Sequence, residues 1–162
     1  MGFYILTICI VIFLIVAVYF IVKYRNSNID IMSFRETMDI VGLPIVTFRN
    51  NGNKYNFLLD TGASQSVINS EILNQIHYCN TNMIGEVYGM EGNTVSANIV
   101  YIELNYKGKD YSDDFKCVDM SAAFGMLKKE YGVTIHGILS SRFFEKYKYV
   151  LDFKDLIAYS KK

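Results

Sequence analysis

The sequence predicts an all-β domain with short helices, preceded by one transmembrane helix. Strand-forming aromatic residues are abundant, with 13 Tyr and 11 Phe. The chain has one Pro and 11 Gly, so few breakers interrupt a series of strand-like segments. The beginning of the 162-residue chain is almost uniformly apolar and differs in kind from the rest, which leaves one modest domain.

The apolar segment runs from Phe3 to Val22 without a charged residue. About twenty helical residues cover roughly 30 Å of hydrocarbon, so residues 1–23 are predicted to form a membrane-spanning helix. A cleaved signal peptide is the alternative. It is disfavoured because the segment exceeds a normal signal core, no basic residue precedes it and no Ala-x-Ala site closes it.

The basic residues Lys23, Arg25 and Arg35 follow this segment and none precedes it. The positive-inside rule therefore predicts a single-pass membrane protein with its domain on the cytoplasmic side. Small residues that pack helices together are scarce in the segment, which favours an anchor over a structural protein that assembles through its helix.

The formal net charge is zero and no long basic run occurs, which excludes electrostatic binding to nucleic acid. Cys79 and Cys117 show no metal-ligand spacing, so we expect neither a metal nor another cofactor. Two reduced, buried thiols are the favoured interpretation. A disulfide between them would require an oxidising compartment and the opposite topology.

The domain is predicted to span residues 40–162, after a polar tether over residues 24–39. Its first feature is a β-hairpin. Ile45–Arg49 and Lys54–Leu59 are strand-like and flank Asn51-Gly52, a dipeptide typical of tight hairpin turns.

The later segments follow from their apolar patterns and their glycine or polar breaks. They comprise a strand at Val67–Asn69, a short helix from Ser70 to Ile76, hairpin strands between Met83 and Asp119, a helix at Ser121–Tyr131 ended by Gly132, an apolar run from Val133 to Ser140, a helix at Ser141–Tyr147, and a terminal hairpin from Tyr149 to Tyr159. Lys128 and Lys129 read as a solvated helix face, although such a face near a bilayer could touch lipid headgroups.

The tripeptide Asp60-Thr61-Gly62 directly follows the second strand of the hairpin. Asp and Gly are ordinary turn residues, so a simple strand-ending turn is one interpretation. A carboxylate delivered by a strand into a tight glycine turn is also what a water-activating aspartate needs.

The order of these parts resembles that of a retropepsin-like aspartic protease domain, a closed β-barrel of the acid protease fold. The resemblance covers residues 40–159 and is carried by Phe57–Ser64 and by Gly137–Ser140. In that family an apolar pair precedes the glycine of the second motif. Here Ile135 matches, whereas His136 occupies the second apolar place and, if buried, needs a hydrogen-bond partner.

The resemblance implies that Asp60 is the catalytic carboxylate. In the loop that follows, the resemblance implies that the hydroxyl of Thr61 braces the site at a dimer axis and that the backbone of Gly62 donates to the carboxylate. It also implies that Ala63 lines the substrate cleft and that Ser64 is a small polar contact of the Asp. Gly137 and Ile138 would pack behind the loop. The glycine-rich hairpin would form a flap over the substrate, with Val87, Tyr88, Gly89 and Met90.

A single chain supplies half of the aspartate pair that such enzymes use. No other aspartate is followed by Thr-Gly or Ser-Gly, so we predict a homodimer in which each copy contributes Asp60. The predicted activity is therefore that of a membrane-anchored aspartic endopeptidase that cleaves a protein or peptide.

A catalytically silent β-barrel module that binds peptides or proteins at the membrane is the alternative. The intact Asp-Thr-Gly disfavours it, because a binder has no need of a carboxylate in a partly dry cleft. A Ser-His or Cys-His hydrolase is disfavoured because no Gly-x-Ser-x-Gly motif occurs.

Overall fold

The structure is a computed structural model that describes residues 12–19, 29–88 and 94–161. In these ranges the chain forms strands, short α-helices and one 3₁₀ helix. The strands are β1 (Ile29–Ser33), β2 (Ile45–Asn50), β3 (Asn53–Leu59), β4 (Val67–Asn69), β5 (Cys79–Tyr88), β6 (Thr94–Tyr106), β7 (Lys109–Val118), β8 (Gly137–Leu139), β9 (Tyr149–Asp152) and β10 (Ile157–Lys161). The α-helices are α1 (residues 12–19), α2 (Arg35–Val41), α3 (Ser121–Tyr131) and α4 (Ser141–Tyr147), and the 3₁₀ helix is Ser70–Ile72.

Seven strands form one sheet in the order β2-β3-β8-β4-β7-β6-β5. A further pairing of β2 with β6, through Arg49 and Asn105, closes six of these strands into a barrel. The predicted class, mostly β with short helices and a closed barrel, is confirmed.

The short strand β8 lies between the two strands that flank residues 60–66. It pairs in parallel with β3, where Leu59 lies opposite Leu139, and antiparallel with β4, where Val67 lies opposite Ile138. Both ends of the intervening loop are therefore fixed to one central strand.

The local turn chemistry follows the sequence closely. Asn51 and Gly52 have positive φ angles of 46° and 84° and connect β2 to β3, which confirms the predicted hairpin. Gly132 ends α3 at φ 71°, as its position after the helical pattern predicts. The helix predicted from Ser70 to Ile76 is only a 3₁₀ helix over its first three residues, and its N-cap is Asn69 rather than Ser70.

The predicted tether, residues 24–39, includes strand β1 and most of helix α2. Strand β1 pairs with β10, and β10 pairs with β9, to form a second sheet of three strands. Met32 and Phe34 are each 1% exposed and fix this segment to the main core. The sequence did not predict strand β1, because its pairing partner β10 lies at the other end of the chain.

A buried aromatic cluster fills the barrel. Phe48 packs edge-on against Phe57, Tyr111 and Phe143, with ring centroids 5.8, 5.8 and 6.4 Å away. Burying one such side chain contributes roughly 1.5–3 kcal/mol. Phe143 and Phe144 are both buried on α4 and belong to the core.

The predicted transmembrane segment lies largely outside the described residues, and its described part is α1, with residues 12–19. In the described ranges, no helix has the length and apolar character needed to cross a bilayer.

The two cysteines of the domain are both free. Cys117 is half-buried and burial raises the pKa of its thiol, whereas Cys79 is exposed. The expectation that both thiols are buried is therefore wrong for Cys79. This residue lies in the edge strand β5, opposite Tyr101 of β6.

Candidate active site

Asp60 stands at the C-terminal end of β3, where the chain leaves the sheet. Its backbone N–H donates to the carbonyl oxygen of Leu139 at 2.9 Å, and the N–H of Leu59 donates to that of Pro44 at 2.8 Å. The last residues of β3 are thus held on both sides, which fixes the direction in which Asp60 leaves the strand.

The carboxylate of Asp60 is half-buried and has one close partner. Its Oδ1 accepts a hydrogen bond from the backbone N–H of Gly62 at 2.8 Å. A Cβ at Gly62 would lie 3.2 Å from that same oxygen, so a side chain at this position would crowd the contact. In the described part of the chain no other donor reaches the carboxylate, which leaves it capacity to bind a ligand or water.

The next residues turn the chain back toward the sheet. Thr61 and Ser64 are exposed and Ala63 is half-buried. The carbonyl oxygen of Ala63 accepts from the backbone N–H of Ser141 at 3.0 Å and from its hydroxyl at 2.9 Å. The start of α4 therefore clamps the loop, and Thr61 is left at its exposed tip.

Gly137 lies in β8, between the two strands that flank the Asp60 loop. A Cβ there would lie 2.5 Å from the carbonyl oxygen of Val67 and 2.8 Å from the ring of Phe57, closer than real side chains approach. Only glycine lets β8 fit between β3 and β4 at this point. Ile138 is half-buried against the small cluster of Ile45, Phe124 and Ile135.

His136 is half-buried, and its imidazole has a backbone hydrogen-bond partner. Nδ1 of His136 accepts from the N–H of Asn56 at 2.9 Å, and the N–H of His136 donates to the carbonyl oxygen of Asn56 at the same distance. Burial lowers the pKa of the imidazole, which favours the neutral form that this contact needs. Among the described residues, no buried polar side-chain atom is without a partner, and those of His136 are included.

The structure adds a polar cluster that sequence reasoning missed. The buried hydroxyl of Ser66 donates to Oδ2 of Asp113 at 2.5 Å and lies 3.3 Å from the hydroxyl of Ser140. The backbone N–H of Ser140 donates to the hydroxyl oxygen of Ser66 at 3.2 Å. Burial raises the pKa of Asp113, against the opposing effect of the Ser66 hydrogen bond. The sequence carries no signal for this contact, since its partners lie far apart in the chain.

A cavity of about 420 Å³ opens beside this cluster. Its lining is rich in charged residues of both signs and comprises Gln65, Ser66, Asp113, Asp114, Ser140, Arg142, Glu145, Lys146 and Lys148. The cavity is next to the Asp60 loop but does not include Asp60.

The predicted flap falls on the long hairpin of β5 and β6. Val87 and Tyr88 pair with Val95 and Thr94 at its end. Gly89 and Met90 lie outside the described residues. The flap assignment stays a prediction.

No protein-family model matches the chain, and no curated protein matches it either. Among solved structures it is similar to EIAV protease in complex with the inhibitor HBY-793, at 17% identity and a TM-score of 0.42, over 64% of this chain and 86% of that one. It is also similar to a retropepsin-like aspartic protease from Rickettsia conorii, at 18% identity and a TM-score of 0.49, over 82% of this chain and 91% of that one.

Proposed function

We propose that the chain is an aspartic endopeptidase that works as a homodimer and is held at a membrane by its N-terminal segment. The observation that carries the proposal is the state of the Asp60 carboxylate. It stands at the end of a fixed strand, is oriented by the N–H of Gly62, and has no other hydrogen-bond partner among the described residues. The remaining acceptor sites of the carboxylate are therefore available to a water or a substrate.

The proposed chemistry needs two such carboxylates. In a dimer, Asp60 of each copy faces the other across the two-fold axis, and the two share one proton because like charges a few ångströms apart do not both ionise cheaply. The ionised carboxylate takes a proton from water, whose oxygen adds to the peptide carbonyl carbon. The protonated carboxyl donates to the carbonyl oxygen.

The resulting tetrahedral intermediate collapses with protonation of the amine and cleavage of the C–N bond, without a covalent intermediate on the protein. Thr61 lies at the exposed tip of the loop, where a second copy can reach it. Its proposed role is to brace the two loops against each other.

Membrane anchorage is proposed from the uncharged segment Phe3 to Val22 and from the basic residues that follow it. Two copies tethered to one bilayer have a raised effective concentration, which favours pairing. Retention of the full chain in membranes washed with alkaline carbonate is the expected result, and release would refute the anchor.

The dimeric site has a sharp test in mixtures of wild type and Asp60→Asn. If subunits exchange freely and one catalytic unit needs two intact copies, activity follows the square of the wild-type fraction. A threefold excess of variant then leaves about one sixteenth of the activity per total chain, against about one quarter for independent monomers. Asp155→Asn, an exposed aspartate in the β9–β10 turn, is the matched control and should not lower activity.

Inhibition by a statine-type transition-state mimic tests the chemistry itself. Turnover that this compound blocks supports the proposal. Peptide binding without any turnover would instead identify a silent binding module.

A further inference from the structure

Lys116 lies on β7, beside the point where the Asp60 loop returns to the sheet. Its backbone N–H donates to the carbonyl oxygen of Ser66, at the end of that loop, at 2.9 Å. It pairs on one side with Val67, the first residue of β4, and on the other side with Ile99 of β6. Lys116 is therefore attached directly to the scaffold of the candidate active site.

The side chain of Lys116 points away from the barrel core. Phe115, its neighbour on β7, is fully buried in the core, and successive side chains of a strand point to opposite faces. Residues paired side by side share a face, so a row of side chains crosses the outside of the sheet. Its members are Leu58, Ile138, Val67, Lys116, Ile99 and Met83. The row begins on β3, two residues before Asp60.

The two ends of this row differ in how they are covered. Helix α3 covers the β3 end, because Phe124 packs in one cluster with Leu58 and Ile138. The β5 end is open, and Met83 is 48% exposed there. Strand β7 is the third strand from β3, and strands are about 4.8 Å apart, so Lys116 lies roughly 14 Å from Leu58 along the sheet. That distance is about four residues of an extended peptide.

The ammonium group of Lys116 reaches the hairpin that is predicted to form the flap. Its side chain crosses β6, and its Nζ donates to the carbonyl oxygen of Glu86 on β5. Gly85 leaves room for this path, since a Cβ there would lie 3.0 Å from Cε of the lysine. The lysine thus links the scaffold of the Asp60 loop to the stem of the hairpin.

No carboxylate neutralises this ammonium group in the described part of the chain, where the one salt bridge joins β1 to the start of β7. Asp114 lies two residues earlier on the same face, but the lysine leans the opposite way, toward Gly85. Glu86 follows Gly85, so its side chain leaves β5 on the other face. The half-buried cation therefore faces the peptide side of the sheet without a counter-charge.

We propose that Lys116 is a specificity-determining residue, which selects substrates that carry Asp or Glu within about four residues of the scissile bond. The inference rests on the proposed peptidase function and names its substrate class. An ammonium group binds a carboxylate through a charge-assisted hydrogen bond, and the low dielectric of a half-buried site strengthens it. Glutamine has the same shape without the charge and is the matched comparison.

The experiment compares statine-type peptides that differ at one position in having Glu or Gln. The position is moved through the four residues on each side of the statine, and affinity for the full chain in detergent is measured by calorimetry. At one position or more, we expect the Glu compound to bind about tenfold more tightly, the value of a charge-assisted hydrogen bond. The ratio should shrink at high salt.

Variants of Lys116 separate charge from packing. Lys116→Met keeps the aliphatic chain over Gly85 and should reduce the Glu-to-Gln ratio to about one, whereas Lys116→Arg should keep it. Loss of a purely structural link to Glu86 would weaken both compounds equally and leave the ratio unchanged. Lys154→Gln removes one exposed charge from the β9–β10 turn and is the matched control, with the ratio of the wild type.

Equal affinities at every position, or an unchanged ratio in Lys116→Met, would overturn the proposal. Cleavage of matched Glu and Gln peptides separates this failure from failure of the proposed function. Cleavage without a preference for Glu refutes the role of Lys116 alone. Tighter binding of the Glu compound without cleavage of any peptide refutes the peptidase and retains the recognition, and a chain that binds no compound refutes both.

Discussion

Asp60 and Asp30 are aspartates at opposite ends of the barrel, and they differ in how many partners they have. The carboxylate of Asp30 accepts hydrogen bonds from Lys109, Tyr111 and Tyr149, and the two tyrosine hydroxyls lie 2.8 Å apart. Asp60 accepts one backbone N–H. A saturated carboxylate holds strands together, whereas an unsaturated one on a fixed loop is free to act on another molecule.

The partners of Asp30 also set its pKa. Burial alone would raise the pKa of this group, but the hydrogen bonds and charge of its partners outweigh burial and lower it. In return, burial and the neighbouring carboxylate raise the pKa values of Tyr111 and Tyr149. The Asp30 cluster is therefore stable as a charged unit.

The largest expected effect is that of Asp60→Asn on catalysis. Asn keeps the acceptor for the Gly62 N–H but cannot take a proton from water, so kcat should fall by about 100- to 10,000-fold. The free energy of unfolding should change by less than about 0.5 kcal/mol. Peptide cleavage and urea denaturation measure the two quantities, and wild-type turnover in the variant would remove Asp60 from the mechanism.

Gly137→Ala should destabilise the protein by disturbing the packing of β8 between β3 and β4, the strands that flank the Asp60 loop. The new Cβ meets the backbone oxygen of Val67, which cannot swing aside as a flexible side chain can, and we expect a loss of about 3 kcal/mol in unfolding free energy. Gly125→Ala is the control. It lies in α3 with no atom within 4 Å of the added Cβ and should stabilise the protein by roughly 0.5–1 kcal/mol.

Asp30→Asn should lower the free energy of unfolding without changing the catalytic rate. Loss of the charge-assisted hydrogen bonds is expected to cost about 1.5–3 kcal/mol in urea denaturation, while kcat of the folded protein stays the same. Because the pKa of Asp30 is lowered by folding, its stabilisation is present above pH 3.8 and is lost as pH falls through the folded value. The difference between variant and wild type should therefore shrink below about pH 4, and a pH-independent difference would contradict this account.

The smallest expected effect is that of replacing Asp113, a partly buried carboxylate that accepts a hydrogen bond from Ser66. Burial raises its pKa, so the ionised form costs stability at neutral pH. Asp113→Asn keeps the acceptor for Ser66 and should stabilise the protein by up to about 1 kcal/mol at pH 7, with the gain fading as pH falls to 3.8. Ser66→Ala should instead lower the free energy of unfolding. If Ser66→Ala raised it, the Ser66–Asp113 hydrogen bond would not stabilise the protein.

The parts of the site that are local in sequence could be predicted. The hairpin turn at Asn51-Gly52 and the position of Asp60 after β3 follow from neighbouring residues. The tight packing of Gly137 against Val67 and Phe57 joins distant residues and does not. The Ser66–Asp113 contact and the Asp30 cluster join distant parts of the chain and leave no local trace. Strand β1 was missed for the same reason, since its partner β10 is at the C-terminal end.

The place of β8 in the chain order has a consequence for biosynthesis. The loop around Asp60 is synthesised early, but the strand that fixes both of its ends is Gly137–Leu139, and its clamp is Ser141. A nascent chain or a product truncated before Gly137 contains the Asp-Thr-Gly residues without the scaffold that orients them. Assembly of the site must therefore wait until nearly the whole domain has left the ribosome.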